Sequence, residues 1–334
     1  MSGAAAPDVS IVVTAHDAAE TVSRCLASID ATRAAAPPSE VLLVDDRSED
    51  GTAEAARATG VSGLVVLRNE GLPTAGLTTR QTSLDQGIRA ARGGAIYLTD
   101  VDGRVPSGWL ARADEVSSGR VDVLVGRVRY EGRGLLSALM TCDGVVYQFL
   151  CSSLDALGAA SGGVAGNLAF RREAYLAVGG FERLGPSLTE DLLLVRALQR
   201  ARFRVRFDAR SAVTVPAPAS WSSIVARGRR TSRGESGLLG LAIALALVSL
   251  AGPAVVAAAT GGAALGFLAA RWLLGAGVLA FLCLERGELR AAAVAPLFEP
   301  FALATAAAVL AARAVSPDVV WGGVRYRKGL PVGD

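Results

Sequence analysis

The 334 residues are 51% hydrophobic and 19% charged, and their mean hydropathy is +0.39. This composition is too apolar for a disordered chain or a simple soluble enzyme, and too charged for a protein that lies in a membrane throughout. The net charge of +3 is small, and a nucleic acid is not among the expected partners. At roughly 100–200 residues per domain, the length allows about two domains.

Alternating strand and helix patterns occupy the N-terminal part of the chain. Short apolar runs rich in β-branched residues lie at 9–14, 40–44, 63–67 and 95–99, and helical patterns separate them. Such repeated units predict an α/β fold with a mostly parallel sheet and helices on both faces. Ligands of these sheets bind beyond the carboxyl ends of the strands.

Acidic residues follow two of these strands. Asp45 and Asp46 come directly after the second strand, where they indicate either a turn with a helix cap or a contact to a nucleotide. Asp100 and Asp102 end the fourth strand one residue apart. Two carboxylates so close repel each other unless a cation lies between them, and Mg²⁺ or Mn²⁺ takes oxygen ligands together with substrate phosphates. This pair therefore predicts a metal site, with a solvated turn as the alternative.

A third acidic position opens a helical stretch. Glu190 and Asp191 follow Thr189 and precede an apolar run. One interpretation is a helix N-terminus with acids favoured by the helix dipole. The other is that one of them is a general base, which takes a proton from an attacking hydroxyl. Position along the chain does not choose between them.

The last third of the chain contains most of the excess apolarity. No charged residue occurs in the 34 positions 237–270, Arg271 precedes a second uncharged run, and a third run is interrupted only by Glu299. A bilayer-spanning helix needs about 20 apolar residues. We expect three membrane helices, at about 238–259, 263–284 and 291–313. The alternative is three Ala-rich core helices of a soluble domain, which the missing polar face disfavours.

Arginines before the first apolar run set the expected orientation. Arg227, Arg229, Arg230 and Arg233 favour the cytosolic side and anionic lipid headgroups. Residues 219–235 therefore predict an interfacial helix, with a basic linker as the alternative. The first eight residues lack the features of a signal peptide. We expect a multi-pass protein of the cell (inner) membrane whose catalytic part faces the cytosol.

The C-terminal tail conflicts with this simple topology. Arg313, Arg325, Arg327 and Lys328 also favour the cytosol, whereas three full spans would place them on the opposite side. Either one run does not cross the membrane or the charge rule is broken at this end, and the sequence leaves both open.

The four cysteines, Cys25, Cys142, Cys151 and Cys283, show no metal-binding spacing. Cys283 lies in a predicted membrane helix. We expect all four to be reduced, structural thiols.

Several of these segments, taken in order, resemble one enzyme family. The resemblance rests on segments 9–14, 44–52, 99–103 and 189–191. Segments 166–172 and 178–182, which lie between the last two, also contribute to it. Together they are similar to the inverting nucleotide-sugar glycosyltransferases of family 2, whose fold is called GT-A, over roughly residues 8–235. The resemblance implies a GT-A catalytic domain at 1–235, with a Rossmann-like, mixed but mostly parallel sheet, followed by an α-helical transmembrane region at 236–334.

The resemblance also implies roles for individual residues. Asp191 would be the catalytic base, and Asp102 with Asp100 would bind the metal. The nucleotide sugar would contact Asp45, Asp46, Arg80, Asp100 and Arg230. The acceptor side would include Glu190, Gly166 and Asn167.

One family motif departs from its usual form. The pattern Gln-x-x-Arg-Trp has its counterpart in residues 227–231, where arginine replaces glutamine and threonine replaces tryptophan. This departure disfavours processive polymer synthesis. The three apolar segments and the tail at 320–326 are similar to those of lipid glycosyltransferases of the ceramide, hopanoid or carotenoid type, which implies a lipid or other membrane-associated acceptor.

The predicted reaction is a single displacement that inverts the anomeric carbon. Three alternatives remain at this point. They are a processive polysaccharide synthase, a sugar transferase acting on polyprenyl phosphate, and an inactive membrane scaffold.

Overall fold

A computed structural model describes residues 7–34, 36–70, 76–158, 162, 165–232, 263–327 and 330–332. Its contacts divide the chain into two compact units. The first comprises residues 1–129, 150–216 and 320–334, and the second comprises 130–149 and 217–319. These units follow other boundaries than the predicted domains 1–235 and 236–334, because the C-terminal tail packs with the sheet and residues 130–149 pack with the apolar helices.

A seven-stranded sheet forms the centre of the first unit. Its strands are β1 (Val9–Ala15), β2 (Ser39–Asp46), β3 (Leu64–Asn69), β4 (Ala95–Asp100), β5 (Val123–Glu131), β6 (Leu168–Arg171) and β7 (Val205–Pro216). They lie in the order β3-β2-β1-β4-β6-β5-β7. The pairs β1 with β2, β1 with β4 and β2 with β3 are parallel, whereas β6 is antiparallel to β4 and β5. The predicted mixed, mostly parallel sheet is confirmed.

Helices cover both faces of this sheet. The helices within the described residues are α1 (Ala19–Arg33), α2 (Thr52–Ala58), α3 (Thr79–Ala90), α4 (Ala113–Ser117), α5 (Leu135–Ala156), α6 (Arg172–Ala177), α7 (Gly180–Leu184), α8 (Glu190–Arg200), α9 (Trp221–Thr231), α10 (Ala263–Leu284) and α11 (Leu289–Val315). Ile11 and Val13 of β1 pack into one core with α1, and Val12 packs into a second core with α3. A strand buried on both faces is apolar without alternation, which explains the continuous run in the sequence.

A small second sheet follows α11. Its strands are β8 (Val319–Trp321), β9 (Val324–Arg327) and β10 (Leu330–Pro331), in the order β10-β9-β8. Gly322 and Gly323 connect β8 to β9 with φ of 55° and 73°. Glycine adopts positive φ without steric cost, so this pair makes the tight turn of a β-hairpin. The sequence analysis expected only a short basic tail here.

In the part of the chain that the structure describes, three helices are apolar and long enough to cross a membrane, judged by length and composition: Leu135–Ala156, Gly266–Leu284 and Leu289–Val315. Helices α10 and α11 lie at the positions predicted at 263–284 and 291–313, whereas 238–259 lies outside the described residues. That α10 and α11 cross a membrane stays a prediction. The helix α5 was not predicted as a span. Its Cys142 and Val145 pack against α10 and α11, whereas Leu135, Tyr147 and Phe149 are exposed.

The two charges that interrupt the apolar runs form an ion pair. Arg271 on α10 bonds to Glu299 on α11. Beside them, the Trp272 indole N–H donates to the carbonyl of Pro296 at 3.1 Å. Pro300 has no N–H, so the helix itself offers that carbonyl no donor four residues on. An unpaired charge or carbonyl is costly among apolar side chains, and these two contacts pair the Arg271 and Glu299 charges and give the Pro296 carbonyl a donor.

The ion pair between α10 and α11 generates a stability prediction. We expect Arg271→Leu or Glu299→Leu alone to lower the free energy of unfolding by on the order of 1–3 kcal/mol, because each leaves a charge without its partner. The double variant removes both charges and should recover most of the loss. Thermal unfolding in detergent measures this. Single variants as stable as the wild type would contradict it.

Candidate active site

The sheet register brings two acidic positions to one edge. Strand β1 lies between β2 and β4, with Ala15 opposite Asp45 and Thr14 opposite Asp100. All three strands are parallel, so their carboxyl ends coincide at this edge of the sheet. Both acidic clusters therefore lie where ligands of parallel sheets bind.

The adjacent residues Asp45 and Asp46 have different environments. The Asp45 carboxylate is buried, and its Oδ1 accepts the backbone N–H of Ser48 at 3.1 Å. Asp46 accepts two hydrogen bonds from Arg47, from Nε at 3.0 Å and from Nη2 at 3.2 Å. Asp45 thus shapes the loop after β2, while Asp46 holds a guanidinium at the site. A nucleoside contact for either residue remains a prediction.

Arg80 joins three parts of the chain. Its Nε donates to Oε1 of Glu190 at 2.6 Å, its Nη2 bonds to Oδ1 of Asp100, and its Nη1 lies 3.3 Å from Oγ1 of Thr14. Burial by itself lowers the pKa of Arg80. The carboxylates of Asp100 and Glu190 raise it by more than burial lowers it, so the pKa lies above its ordinary value. Arg80 is a permanent cation that holds two carboxylates at the sheet edge.

The start of α3 positions this arginine. Thr78 caps the helix, since its Oγ1 accepts the N–H of Gln81 at 3.1 Å and the Gln81 side chain accepts the N–H of Thr78 at 3.1 Å. This reciprocal arrangement is a capping box. Oε1 of Gln81 also accepts the N–H of Ser187 at 3.0 Å. One glutamine therefore fixes both Arg80 and the loop that leads to Glu190.

A tight turn carries the pair Asp100 and Asp102. The Gly103 N–H donates to the Asp100 carbonyl at 2.9 Å, and the Asp102 side chain is exposed. Burial, together with the negative charges of Asp102 and Asp100, raises the pKa of Cys25 to about 12. Both carboxylates thus act on the same thiol beneath the turn. All four cysteines are free and buried, as predicted.

The residues at this turn fit a divalent cation that is shared with a ligand. Carboxylate oxygens are the ligands that Mg²⁺ and Mn²⁺ prefer. Among the described residues, no group of three or more His, Cys, Asp or Glu side chains forms a metal site. A cation on Asp100 and Asp102 would therefore need further ligands from water or from substrate phosphates, as in many magnesium sites.

The neighbouring residues Glu190 and Asp191 differ in burial. Glu190 is 2% exposed and its carboxylate binds Arg80. Asp191 is half-buried, and its Oδ1 accepts the N–H of Leu192 at 2.7 Å. Glu190 is thus a counter-ion in the interior, and the predicted base Asp191 is the more accessible acid.

Gly166 and Asn167 are surrounded by other residues of the protein. A Cβ atom on Gly166 would lie 3.1 Å from Oδ2 of Asp100, so glycine permits that carboxylate to approach. Asn167 is 5% exposed and lies in the interior. Its Nδ2 donates to carbonyls of Arg127 and Ser211 at 2.8 and 3.2 Å, and its Oδ1 accepts from Trp109 at 2.9 Å. An acceptor-side role for these residues remains a prediction.

Arg230 lies on α9, in the second compact unit, whereas Asp45, Asp46, Arg80, Asp100, Asp102 and Asp191 lie in the first. Its contact with a diphosphate remains a prediction.

The sequence analysis did not predict that the hairpin of β8 and β9 lies at this site. The Tyr326 hydroxyl lies 3.0 Å from Oγ1 of Thr79, and the Trp321 ring centroid lies 5.8 Å from Cζ of Arg80. The signal available in the sequence was a Gly-Gly pair flanked by β-branched and aromatic residues, which is typical of a hairpin.

The bridging role of Arg80 generates a second stability prediction. We expect Arg80→Gln to lower the free energy of unfolding by roughly 2–4 kcal/mol, somewhat less than for a fully buried ion pair. Arg80→Lys should lose less, because one ammonium can still hold one carboxylate. Thermal unfolding of purified variants measures this.

The control for Arg80 is Arg57→Gln, which removes an exposed arginine whose Nη1 lies 3.7 Å from Oε1 of Glu54. This variant should change the free energy of unfolding little. Combining Arg80→Gln with Glu190→Gln should recover part of the loss. If Arg80→Gln were as stable as Arg57→Gln, the bridge would have no structural role.

Three known proteins are similar to this chain in sequence or in structure. Glycosyltransferase AglE of Haloferax volcanii is 30% identical over 127 residues, and the match spans 37% of this chain and 40% of that relative. The mannosyltransferase PcManGT from Pyrobaculum calidifontis, solved in complex with GDP-Man and Mn²⁺, superimposes with a TM-score of 0.53 at 20% identity over 88% of each chain. Glucosyl-3-phosphoglycerate synthase from Mycobacterium tuberculosis, with Mn²⁺ and UDP-Glc, gives a TM-score of 0.44 at 18% identity over 64% of this chain and 71% of that one.

A sequence model described as "Glycosyltransferase like family 2" matches residues 7–234, more than half of the chain. The match covers the region in which the ordered motifs predicted this family. The mannosyltransferase structure confirms the predicted GT-A fold. The chain therefore belongs to glycosyltransferase-like family 2 and contains a GT-A domain.

Proposed function

We propose that this protein transfers a sugar from a nucleotide-diphosphate sugar to a hydroxyl of a lipid or other membrane-associated acceptor, with inversion at the anomeric carbon. The observation that carries the proposal is the Arg80 bridge, which brings Asp100 to the start of α8 at the carboxyl edge of the sheet. There Glu190 is bound to Arg80, and Asp191 is the less buried of the two acids.

The donor site is proposed at the ends of β2 and β4. Asp45, Asp46, Arg80 and Asp100, which all belong to the first unit, are the proposed contacts to the nucleotide sugar. Asp102 and Asp100 would hold Mg²⁺ or Mn²⁺, which supplies positive charge against the leaving diphosphate. The mannosyltransferase of the same fold was solved with GDP-Man and Mn²⁺, which supports this class of donor.

The proposed reaction is one in-line displacement. The acceptor oxygen forms a bond to the anomeric carbon while the bond from that carbon to the diphosphate oxygen breaks, and the bonding electrons leave with the diphosphate. Asp191 takes the proton of the acceptor hydroxyl.

The acceptor is proposed from the apolar helices. Three described helices are long and apolar enough to cross a membrane, and α9 packs on one of them through Trp221 and Phe301, whose ring centroids are 5.6 Å apart. Arg229 of α9 donates to the Asp318 carbonyl at 2.8 Å, just beyond α11. A basic helix with a tryptophan suits the membrane interface, so the acceptor is proposed to be presented by the bilayer.

We propose further that the C-terminal tail lies on the same side of the membrane as the GT-A domain, in the cytosol. Residues 320–334 belong to the same compact unit as the sheet, and the buried Tyr326 bonds to Thr79. The chain between Ser232 and Val319 must then cross the membrane an even number of times. This packing supports an even number of crossings over three, and the cytosolic preference of the basic tail agrees with it.

Lipid analysis tests the proposed function. A host that expresses the protein should contain a lipid heavier by one hexose-like mass, and a host with Asp191→Asn should lack it. With purified protein, we expect Asp191→Asn to lower transfer roughly 100- to 10,000-fold while donor binding is retained, because it removes the general base. Mass spectrometry and a transfer assay measure these effects.

The control for Asp191→Asn is Asp30→Asn, an equal change at an exposed residue, which should transfer normally. If Asp191→Asn transferred sugar to a polyprenyl phosphate at the wild-type rate, the base assignment would be wrong. The acceptor would then be a phosphate oxygen, which needs no strong base. A wild type that transfers no sugar from any nucleotide sugar with Mn²⁺ present would indicate an inactive scaffold.

Labelling with a membrane-impermeant maleimide tests the topology. Reporter cysteines at Val320 and Arg57, both exposed positions, should react from the same side of sealed vesicles. The native cysteines are buried and should contribute little background. A Val320→Cys protein labelled only from the side opposite to Arg57→Cys would contradict an even number of crossings.

A further inference from the structure

The turn of the β8 and β9 hairpin lies against two loops of the proposed donor site. A Cβ atom on Gly322 would lie 3.8 Å from Cδ2 of His16, and one on Gly323 would lie 3.9 Å from Nε2 of the same ring. Nη2 of Arg47 lies 3.4 Å from the Gly322 carbonyl. His16 follows β1 and Arg47 follows β2, so the turn contacts the loops at the carboxyl ends of two neighbouring strands.

Tyr326 anchors the hairpin at the start of α3. The side chain is 1% exposed, and its hydroxyl accepts the Thr79 N–H at 3.2 Å and lies 3.0 Å from Oγ1 of Thr79. Thr79 directly precedes Arg80. A buried hydroxyl with two partners on one residue gives the hairpin a defined position beside that arginine.

Trp321 extends from this anchored hairpin to the guanidinium of Arg80. The Arg80 Cζ lies 5.8 Å from the Trp321 ring centroid, within the range of a cation–π interaction. The Trp321 and Tyr326 ring centroids are 6.5 Å apart. The indole therefore lies between the anchor and the cation that holds Asp100 and Glu190.

We propose that Trp321 is a positioning residue for donor binding, acting through Arg80. The ring holds the guanidinium in the orientation that presents Asp100 toward the donor and its metal. Without the ring, water takes its place against one face of the guanidinium, and the Arg80 side chain is freer to rotate away from Asp100. This inference rests on the proposed function, and it assigns a C-terminal residue, beyond the apolar helices in sequence, to the nucleotide-sugar site.

The test compares Trp321→Leu with Trp321→Phe. Leucine keeps apolar bulk without a ring, whereas phenylalanine keeps a ring over Arg80. The loss of a cation–π contact corresponds to roughly a 5- to 30-fold weaker interaction. We expect Trp321→Leu to raise the donor KM by about this factor with a smaller change in kcat, and Trp321→Phe to restore most of the affinity.

A binding measurement accompanies the kinetics. Thermal-shift titrations with UDP or GDP, each with Mn²⁺, report the apparent Kd without turnover. Trp321→Leu should weaken that Kd by the same factor, while its unfolding midpoint without ligand stays near that of the wild type. Val320→Ala is the matched control, because Val320 is the adjacent residue of β8 and is 70% exposed.

The outcomes separate this inference from the proposed function. A wild type that binds nucleotide with Mn²⁺ and transfers sugar, beside an unchanged Trp321→Leu, overturns the role of Trp321 alone. The same holds if phenylalanine fails to restore affinity, or if weaker binding only follows a lower unfolding midpoint. A wild type that neither binds these nucleotides nor transfers sugar overturns the proposed function and this inference with it.

Discussion

The contact between Arg80 and two carboxylates is the interaction on which the rest of the site depends. Asp100 and Glu190 lie 90 positions apart in the chain, and like charges that meet at a sheet edge repel each other unless a cation separates them. The surrounding structure serves this arrangement. The capping box of Thr78 and Gln81 orients the start of α3, Gln81 also holds the loop before Glu190, and Gly166 leaves room for the Asp100 carboxylate.

Neighbouring acids acquire different roles because the fold buries them differently. Glu190 enters the interior with Arg80 as its partner, while Asp191, one residue later on the helix, is more accessible. Asp45 and Asp46 divide in a similar way between a loop-shaping hydrogen bond and an ion pair with Arg47. Successive helical residues point in directions about 100° apart, and successive strand residues point to opposite faces. Sequence motifs identify such pairs of acids, whereas the packing of each face assigns their tasks.

The apolar helices show the same principle. Arg271 and Glu299 interrupt two apolar runs that would otherwise be uniform, and the structure pairs them. Trp272 supplies the donor that Pro300 cannot give to the Pro296 carbonyl. Each of these polar groups in the apolar helices thus has a partner on the adjacent helix. The hairpin after α11 packs instead with the sheet, so the end of the chain takes part in the site near its beginning.

The sequence by itself determined the family, the parallel strands and the strand ends at which the acids lie. Alternation of apolar runs and helical patterns is local, and the carboxyl ends of parallel strands meet by geometry alone. It also indicated α10 and α11, because hydropathy over about 20 residues needs no knowledge of neighbours. Only the tertiary structure decided that Arg80 holds Glu190 and Asp100, that Arg271 meets Glu299, and that Trp321 and Tyr326 reach the start of α3. These contacts join segments far apart in the chain, and their partners are chosen by distance and desolvation in the folded protein, which no local pattern of residues records.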